Sequence, residues 1–264
     1  MNSGIAMYDT ENIDPKEACK LGESFFKKIG VDITGSGYYK ILENGDHAGD
    51  HDIVEISISD LKEKIENNEI TAFRLYCEKK GFQPWVASFG YTTNNFGGFF
   101  YIDAQFPNVD LSSKHMVDLF KLLGNFSFSY GIGYFSEKIT NSFYYATGDN
   151  MVNLYPYENS SLFKRECPGR FKGQERYKGT MLRMVYLVNV INQNHLEVII
   201  DGISLKEWIS SDEKHGRLEN LNNEMWLWEV QENNLDEVNT LLGTAGVLIS
   251  WKPSAVKKIS RKLP

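Results

Sequence analysis

The stretch PWVASFGYTTNNFGGFFYIDAQF, residues 84–106, carries two strand patterns on either side of a turn. Trp85, Ala87, Phe89 and Tyr91 alternate strictly, which is the period of a pleated strand. Asn94, Asn95, Gly97 and Gly98 supply residues that tolerate the tight backbone of a hairpin, and GGFFYIDAQF (97–106) resumes as a second strand. A link this short dictates antiparallel pairing, because parallel neighbours need a crossover of roughly a dozen residues. The second strand is apolar on both faces except at Asp103.

The neighbouring segments extend the same grammar. ITAFRLYC (70–77) and FSYGIGYF (128–135) read as further strands, and IVEISI (53–58) as a short one. Helices interrupt them. DPKEACKLGESFFKKI (14–29) opens on Asp14, Pro15 and Glu17, the pattern of a capping box. Its Ala18, Leu21, Phe25 and Ile29 share a face, and Gly30 can end it. A second helix is expected over 59–68, started by Ser59. A third, over 111–123, puts Met116, Leu119, Phe120 and Leu123 on one side and ends at Gly124.

Residues 147–179 lack this periodicity and contain Pro156, Pro168 and the mixed-charge run FKRECPGRFKGQERYK, so they are the expected boundary. Beyond it the alternation restarts with MLRMVYLVNVI (181–191), LEVIID (196–201), SLKEWI (204–209), EMWLWEV (224–230) and GVLISW (246–251). A helix from Asn234 to Leu242 has capping-box spacing at Asn234 and Glu237. In EMWLWEV, Trp226 and Trp228 face one side and Met225 and Leu227 the other, as in a central strand covered on both faces. The fold class is α+β: mostly antiparallel sheet flanked by helices, in two α+β halves. The expected organisation is 1–150, a connecting segment 151–178, a second half 179–251, and a mobile basic tail 252–264.

Composition narrows the function. The net charge is −7, and the five basic residues of the tail leave −12 on residues 1–251. An acidic body repels phosphate backbones and steers basic partners, so no direct nucleic-acid contact is expected. Three widely spaced cysteines, Cys19, Cys77 and Cys167, form no CxxC pair and suit a reducing compartment. With no leader-like start and no apolar run long enough to span a bilayer, a cytoplasmic protein without membrane contact is expected.

The most chemical stretch is GDHAGDHDIVEIS (45–57). Asp46, His47, Asp50 and His51 could form a metal-dependent hydrolase centre, with His47, Asp50 and His51 as ligands. Yet histidines four apart share a face only on a helix, and the Gly- and Asp-rich context argues for a turn. No GxSxG elbow, GxxxxGK[ST] loop or dinucleotide fingerprint occurs, so no cofactor is expected and a non-enzymatic role is favoured. The 13% aromatic content offers contact side chains instead, since aromatics dominate protein–protein hot spots. On this reading Asp46, Asp50, Asp52, Tyr91 and Phe96 are the partner-contact candidates.

The segments FGYTTNNFGGFFYIDAQFPNVD, YGIGYF, LRMVYLVNVIN, HLEVIIDGISLKEWI, GRLENLNNEMWLWEV and NLDEVNTLLGTAGVLIS together resemble the immunity-type proteins of bacterial toxin systems. Phage-encoded inhibitors of bacterial defence share the profile. The resemblance implies a small, acidic, cytosolic α+β protein without catalytic signatures that inhibits a protein partner by occlusion; that the partner is basic is the expectation from the acidic charge alone. A structural subunit of a larger assembly is the other non-catalytic expectation.

Overall fold

The computed structural model describes residues 1–45, 50–81, 84–96, 98–108, 113–123, 126–168, 172–222 and 224–253. In chain order the first elements are β1 (Asn2–Tyr8), α1 (Pro15–Ile29), β2 (Gly35–Ile41), β3 (His51–Ile56), α2 (Ile58–Glu66) and β4 (Phe73–Cys77). They continue with β5 (Ala87–Thr92), β6 (Tyr101–Pro107), α3 (Lys114–Leu123), β7 (Tyr130–Ser136), α4 (Ile139–Thr147) and α5 (Ser160–Glu166). The last are β8 (Val188–Asn192), α6 (Gln193–Leu196), β9 (Ile199–Ile200), β10 (Ile203–Ser204), α7 (Leu205–Ser211), β11 (Arg217–Asn220), β12 (Met225–Glu229) and α8 (Leu235–Thr244).

Ten strands form one sheet in the order β11-β12-β8-β7-β1-β6-β5-β4-β2-β3, with β9 and β10 as a separate small pair. Every pairing in the large sheet is antiparallel, which establishes the α+β class. The expected hairpin is present as β5 and β6, in register Gly90 to Asp103. Strands from both expected halves share this sheet, because β7 pairs with β8 across the expected boundary. The tail beyond Pro253 lies outside the described residues.

The two faces of the sheet differ in chemistry. One presents Ile5, Met7, Phe89, Ile102 and Ala104 to Leu21 and Phe25 of α1 and Leu119 of α3. The helix α1 is set by its ends: Asp14 Oδ1 accepts from Glu17 N–H at 2.8 Å, and Gly30 turns left-handed at φ 69°. The other face is equally buried yet polar. It carries Arg74, Ser88, Asp103 and Gln105 with Tyr8, Tyr130 and Tyr134, beneath α4 and α5. The aromatic surplus is therefore largely core.

Arg74 and Asp103 form an ion pair with both side chains about 1% exposed, Nη2 to Oδ1 2.7 Å and Nη1 to Oδ2 3.0 Å. They stand on either side of Gly90, which faces Arg74 across β4 and Asp103 across β6. A Cβ on Gly90 would fall 2.2 Å from Arg74 Nη2 and 2.8 Å from Asp103 Oδ1. The glycine is thus the gap through which two strands' charges meet. Ser88 and Gln105 complete the network, and Phe143 of α4 lies 4.7 Å from the guanidinium. Asp103, the polar exception in the sequence, finds its counter-charge here; a buried carboxylate without one is very costly.

Several expectations are corrected. The N-cap of α2 is Ser57, not Ser59: its Oγ accepts Asp60 N–H at 3.1 Å, two residues earlier. Asn234 does not cap α8, because a 3-10 turn over Glu232–Asn234 runs into the helix and gives Asn234 helical angles. Of the expected 181–191 strand only 188–191 is strand, continuing to Asn192, and 246–251 makes isolated bridges, Leu182 with Leu248 and Glu158 with Trp251. Strand β12 is covered on both faces but lies next to the sheet edge, not at its centre.

Two outcomes follow from this packing. Gly90→Ala must displace the Arg74–Asp103 pair, so it should destabilise the fold by about 1–3 kcal/mol. A thermal unfolding midpoint equal to wild type would show that the pair relaxes freely. The second concerns His195, fully buried, whose Nε2–H donates to the Tyr177 carbonyl at 2.9 Å while Nδ1 accepts from Asn192 N–H at 3.3 Å. Burial pushes its pKa down to about 4, against roughly 6.5 in the unfolded chain. The folded state therefore binds fewer protons, and this stabilisation is complete above about pH 6.5 and lost as pH falls towards 4. His195→Gln should flatten the loss of stability between pH 7 and pH 5 in denaturant titrations; an unchanged slope would contradict the assignment.

Candidate functional site

Of the residues singled out in the sequence, the structure describes Asp50, His51, Asp52, Tyr91 and Phe96, and it brings His51 against Phe96. Asp46 and His47 lie outside the described residues. Asp50 ends the approach to β3, where its carbonyl accepts Leu42 N–H at 2.8 Å. His51 packs edge-on against Tyr39 and Phe96, at 5.3 and 5.5 Å between ring centres. Asp52 Oδ1 accepts the N–H of Ile53 at 2.8 Å, which occupies a backbone donor on the edge strand of the sheet. Among the described residues no group of three or more His, Cys, Asp or Glu is arranged to hold a metal. Tyr91 is 2% exposed with its hydroxyl donating to the Ile13 carbonyl, and Phe96 is 6% exposed. Neither ring offers a contact surface in the free chain.

A site of a different kind lies at one end of the sheet. Strands β11, β12 and β8 end level at Arg217, Glu229 and Val188, while β7 runs past Gly133 to Ser136, opposite Asn2 of β1. A groove crosses these ends in two stretches of about 630 and 560 Å³, continuous through Phe135, Leu187 and Glu232, which line both. Its apolar lining is half-buried at Phe135, Leu154 and Tyr155 and nearly covered at Leu187, Val230 and Leu235. Its rim is acidic: Glu213, Glu229 and Glu232 on one side, Glu137 and Asp236 on the other. Arg217 is the one basic side chain among the described lining residues.

The wall of the groove is tied to a buried charge centre. Arg183 and Glu158 have side chains with no exposure, and Nε stands 4.0 Å from Oε1. Arg183 Nη1 donates to the carbonyls of Tyr145 (2.7 Å) and Ala146 (3.3 Å), completing the C-terminal turn of α4 where a cation is favoured. Its guanidinium lies 3.7 Å from the Tyr145 ring and 4.4 Å from Phe163. Glu158 accepts from the Tyr145 hydroxyl at 2.6 Å and from Leu154 N–H at 2.9 Å. Burial raises the Glu158 pKa, and Arg183 and Tyr145 oppose that rise. Leu154 and Tyr155 form groove wall, so this carboxylate fixes the wall from inside. Tyr157, stacked on Tyr155, holds Asp236 Oδ1 through its hydroxyl at 2.6 Å.

The groove draws on segments within 1, 113, 135–141, 153–155, 187, 213–217 and 229–236, each short and unremarkable alone. Only the strand order brings them together. The one local signal was the acidic body, which pointed to a basic partner without placing the contact.

No protein-family model matches the chain, and no curated protein matches it in sequence. Among solved structures it is similar to a Pseudomonas aeruginosa T6SS protein, PA0821, with a TM-score of 0.59 at 10% identity over 97% of this chain and 76% of that one. At that identity the likeness is one of fold. Among the described residues no helix is long and apolar enough to cross a membrane.

Glu158→Ala should free the Leu154 amide from a part-buried hydrogen bond and leave Arg183 without its buried counter-charge, at about 3–5 kcal/mol. Hydrogen exchange at Leu154 should then quicken about tenfold or more while the β1 and β6 amides stay protected. Equal loss of protection throughout would show that Glu158 supports the whole fold rather than the wall.

Proposed function

We propose that the chain is a non-enzymatic binding protein that inhibits a specific protein partner by occlusion, of the toxin-immunity or anti-defence kind. The observation that carries this reading is the strand-end groove, where half-buried Phe135, Leu154 and Tyr155 stand beside the carboxylates of Glu137, Glu213, Glu229, Glu232 and Asp236. Interfaces of this composition gain affinity from the desolvated centre and association rate from the charged border. The acidic charge on residues 1–251 extends the same field beyond the groove and favours a basic partner. The fold likeness to a T6SS protein fits a setting of conflict between bacteria. Three unpaired cysteines suit the reducing cytoplasm as the place of action.

The test is affinity purification of the tagged chain from its native host, followed by an assay of the captured protein's own activity. One partner should co-purify in equal amount, and one equivalent of the chain should suppress its activity. Glu213→Lys with Glu232→Lys, both exposed, should weaken capture about tenfold or more. If no protein co-purifies and the isolated chain turns over a substrate, the reading is wrong.

A further inference from the structure

Strand β3 closes the sheet on the side away from β11, and among the described residues no strand pairs with its outer side. Its hydrogen-bond parity is set by its neighbour β2. Leu42 N–H donates to the Asp50 carbonyl at 2.8 Å, while Tyr39 N–H turns the other way, to the Ala72 carbonyl at 3.1 Å. With Lys40 opposite Asp52 and Tyr38 opposite Val54, antiparallel alternation bonds Asp52, Val54 and Ile56 to β2. The backbone of His51, Ile53 and Glu55 is therefore aimed outwards. Ile53 N–H accordingly meets Asp52 Oδ1 at 2.8 Å rather than β2. The side chains of His51, Ile53 and Glu55 share one face, on which Ile53 is 36% and Ile41 47% exposed.

We infer that β3 pairs with β3 of a second copy of this chain, antiparallel and centred on Ile53, and that Asp52 is the latch this pairing releases. The side-chain order selects both the occupant and the register. A two-fold axis at Ile53 sets Ile53 against its own copy and His51 against Glu55, an aliphatic contact flanked by two imidazole–carboxylate pairs. An axis at Asp52 opposes two carboxylates directly, and one at Val54 sets Ile53 against the Glu55 carboxylate. Of these the Ile53 register alone is complementary to itself. On pairing, Ile53 N–H exchanges Asp52 Oδ1 for a carbonyl of the second copy, and the carboxylate returns to water. The exchange offsets part of the gain, and the contact is short, so the dimer is a reversible one. Strands β2, β4, β5 and β6 separate β3 from β1, so pairing at this edge leaves the strand-end groove open on both copies. The inference goes beyond the proposed inhibition and uses a different surface.

Sedimentation equilibrium of the full chain tests it. Wild type should show a monomer–dimer equilibrium with a Kd of about 10–500 µM. Asp52→Ala removes the latch and should tighten it about tenfold. Ile53→Lys places two ammonium groups at the axis and should abolish the dimer, whereas Asn220→Lys, exposed on the opposite edge strand, should leave it within about twofold. Glu55→Lys should weaken it about fivefold, and adding His51→Glu should restore it. Hydrogen exchange at the Ile53 and Glu55 amides should slow as concentration rises, with Asp52 and Val54 unchanged. A chain that stays monomeric at about 1 mM both as wild type and as Asp52→Ala overturns the inference. So does a dimer that survives Ile53→Lys, or one that Asp52→Ala fails to tighten. Capture of the inhibited partner is read separately: its failure removes the inhibitor reading and leaves the dimer standing, and loss of the dimer leaves capture intact.

Discussion

Strand β1 is the constraint on which the rest of the molecule rests. It pairs along its whole length with β6 on one side and β7 on the other, from Asn2 to Tyr8. Interior backbone groups have no water to fall back on, so each N–H and C=O must find its partner in those two ladders. Ile5 and Met7 then point to the apolar layer under α1 and α3, while Tyr8 points to the polar layer under α4 and α5. Gly4 lets the Tyr134 ring lie directly on the strand, where a Cβ would come within 2.3 Å. One seven-residue segment thus joins β6 to β7 and, through them, the two flanks of the sheet.

The polar layer is the unusual part of the core. Two buried arginines, Arg74 and Arg183, sit under α4 among tyrosines, one with Asp103 and one with Glu158. Buried ion pairs contribute little net stability, because desolvation offsets attraction; removing one partner nevertheless costs several kcal/mol. Their effect is on uniqueness. A slip of β4 by one residue would carry Arg74 to the aliphatic face and leave Asp103 alone, so the pair excludes alternative registers that hydrophobic contacts alone tolerate.

Local signals were legible where local physics decides. Asp14, Pro15, Glu17 and Gly30 delimit α1 by hydrogen bonds made within a few residues. The 84–106 hairpin was set by its turn and by period-two alternation. β1 and β2 were not recognisable, since Ser3, Gly4, Gly35 and Gly37 have little strand preference and are held by neighbours far along the chain. The helical angles of Asn234 and the irregular path of 181–187 likewise answer to packing, the latter to seat Arg183. The groove was illegible for the same reason: strand order, not spacing, brings Phe135 beside Leu187.

A groove made from strand ends has a consequence for the life of the polypeptide. Its lining spans residues 1 to 236, so no fragment carries it and no partly assembled sheet presents it. Contacts this distant in sequence close late, after the loop entropy of the intervening chain has been overcome. Recognition by a partner at this groove would therefore require the sheet to be complete, and occupancy would in turn stabilise the closed sheet by mass action. Synthesis must pass β12 and the start of α8 before anything can dock there. The site doubles as a proofreader of its own fold.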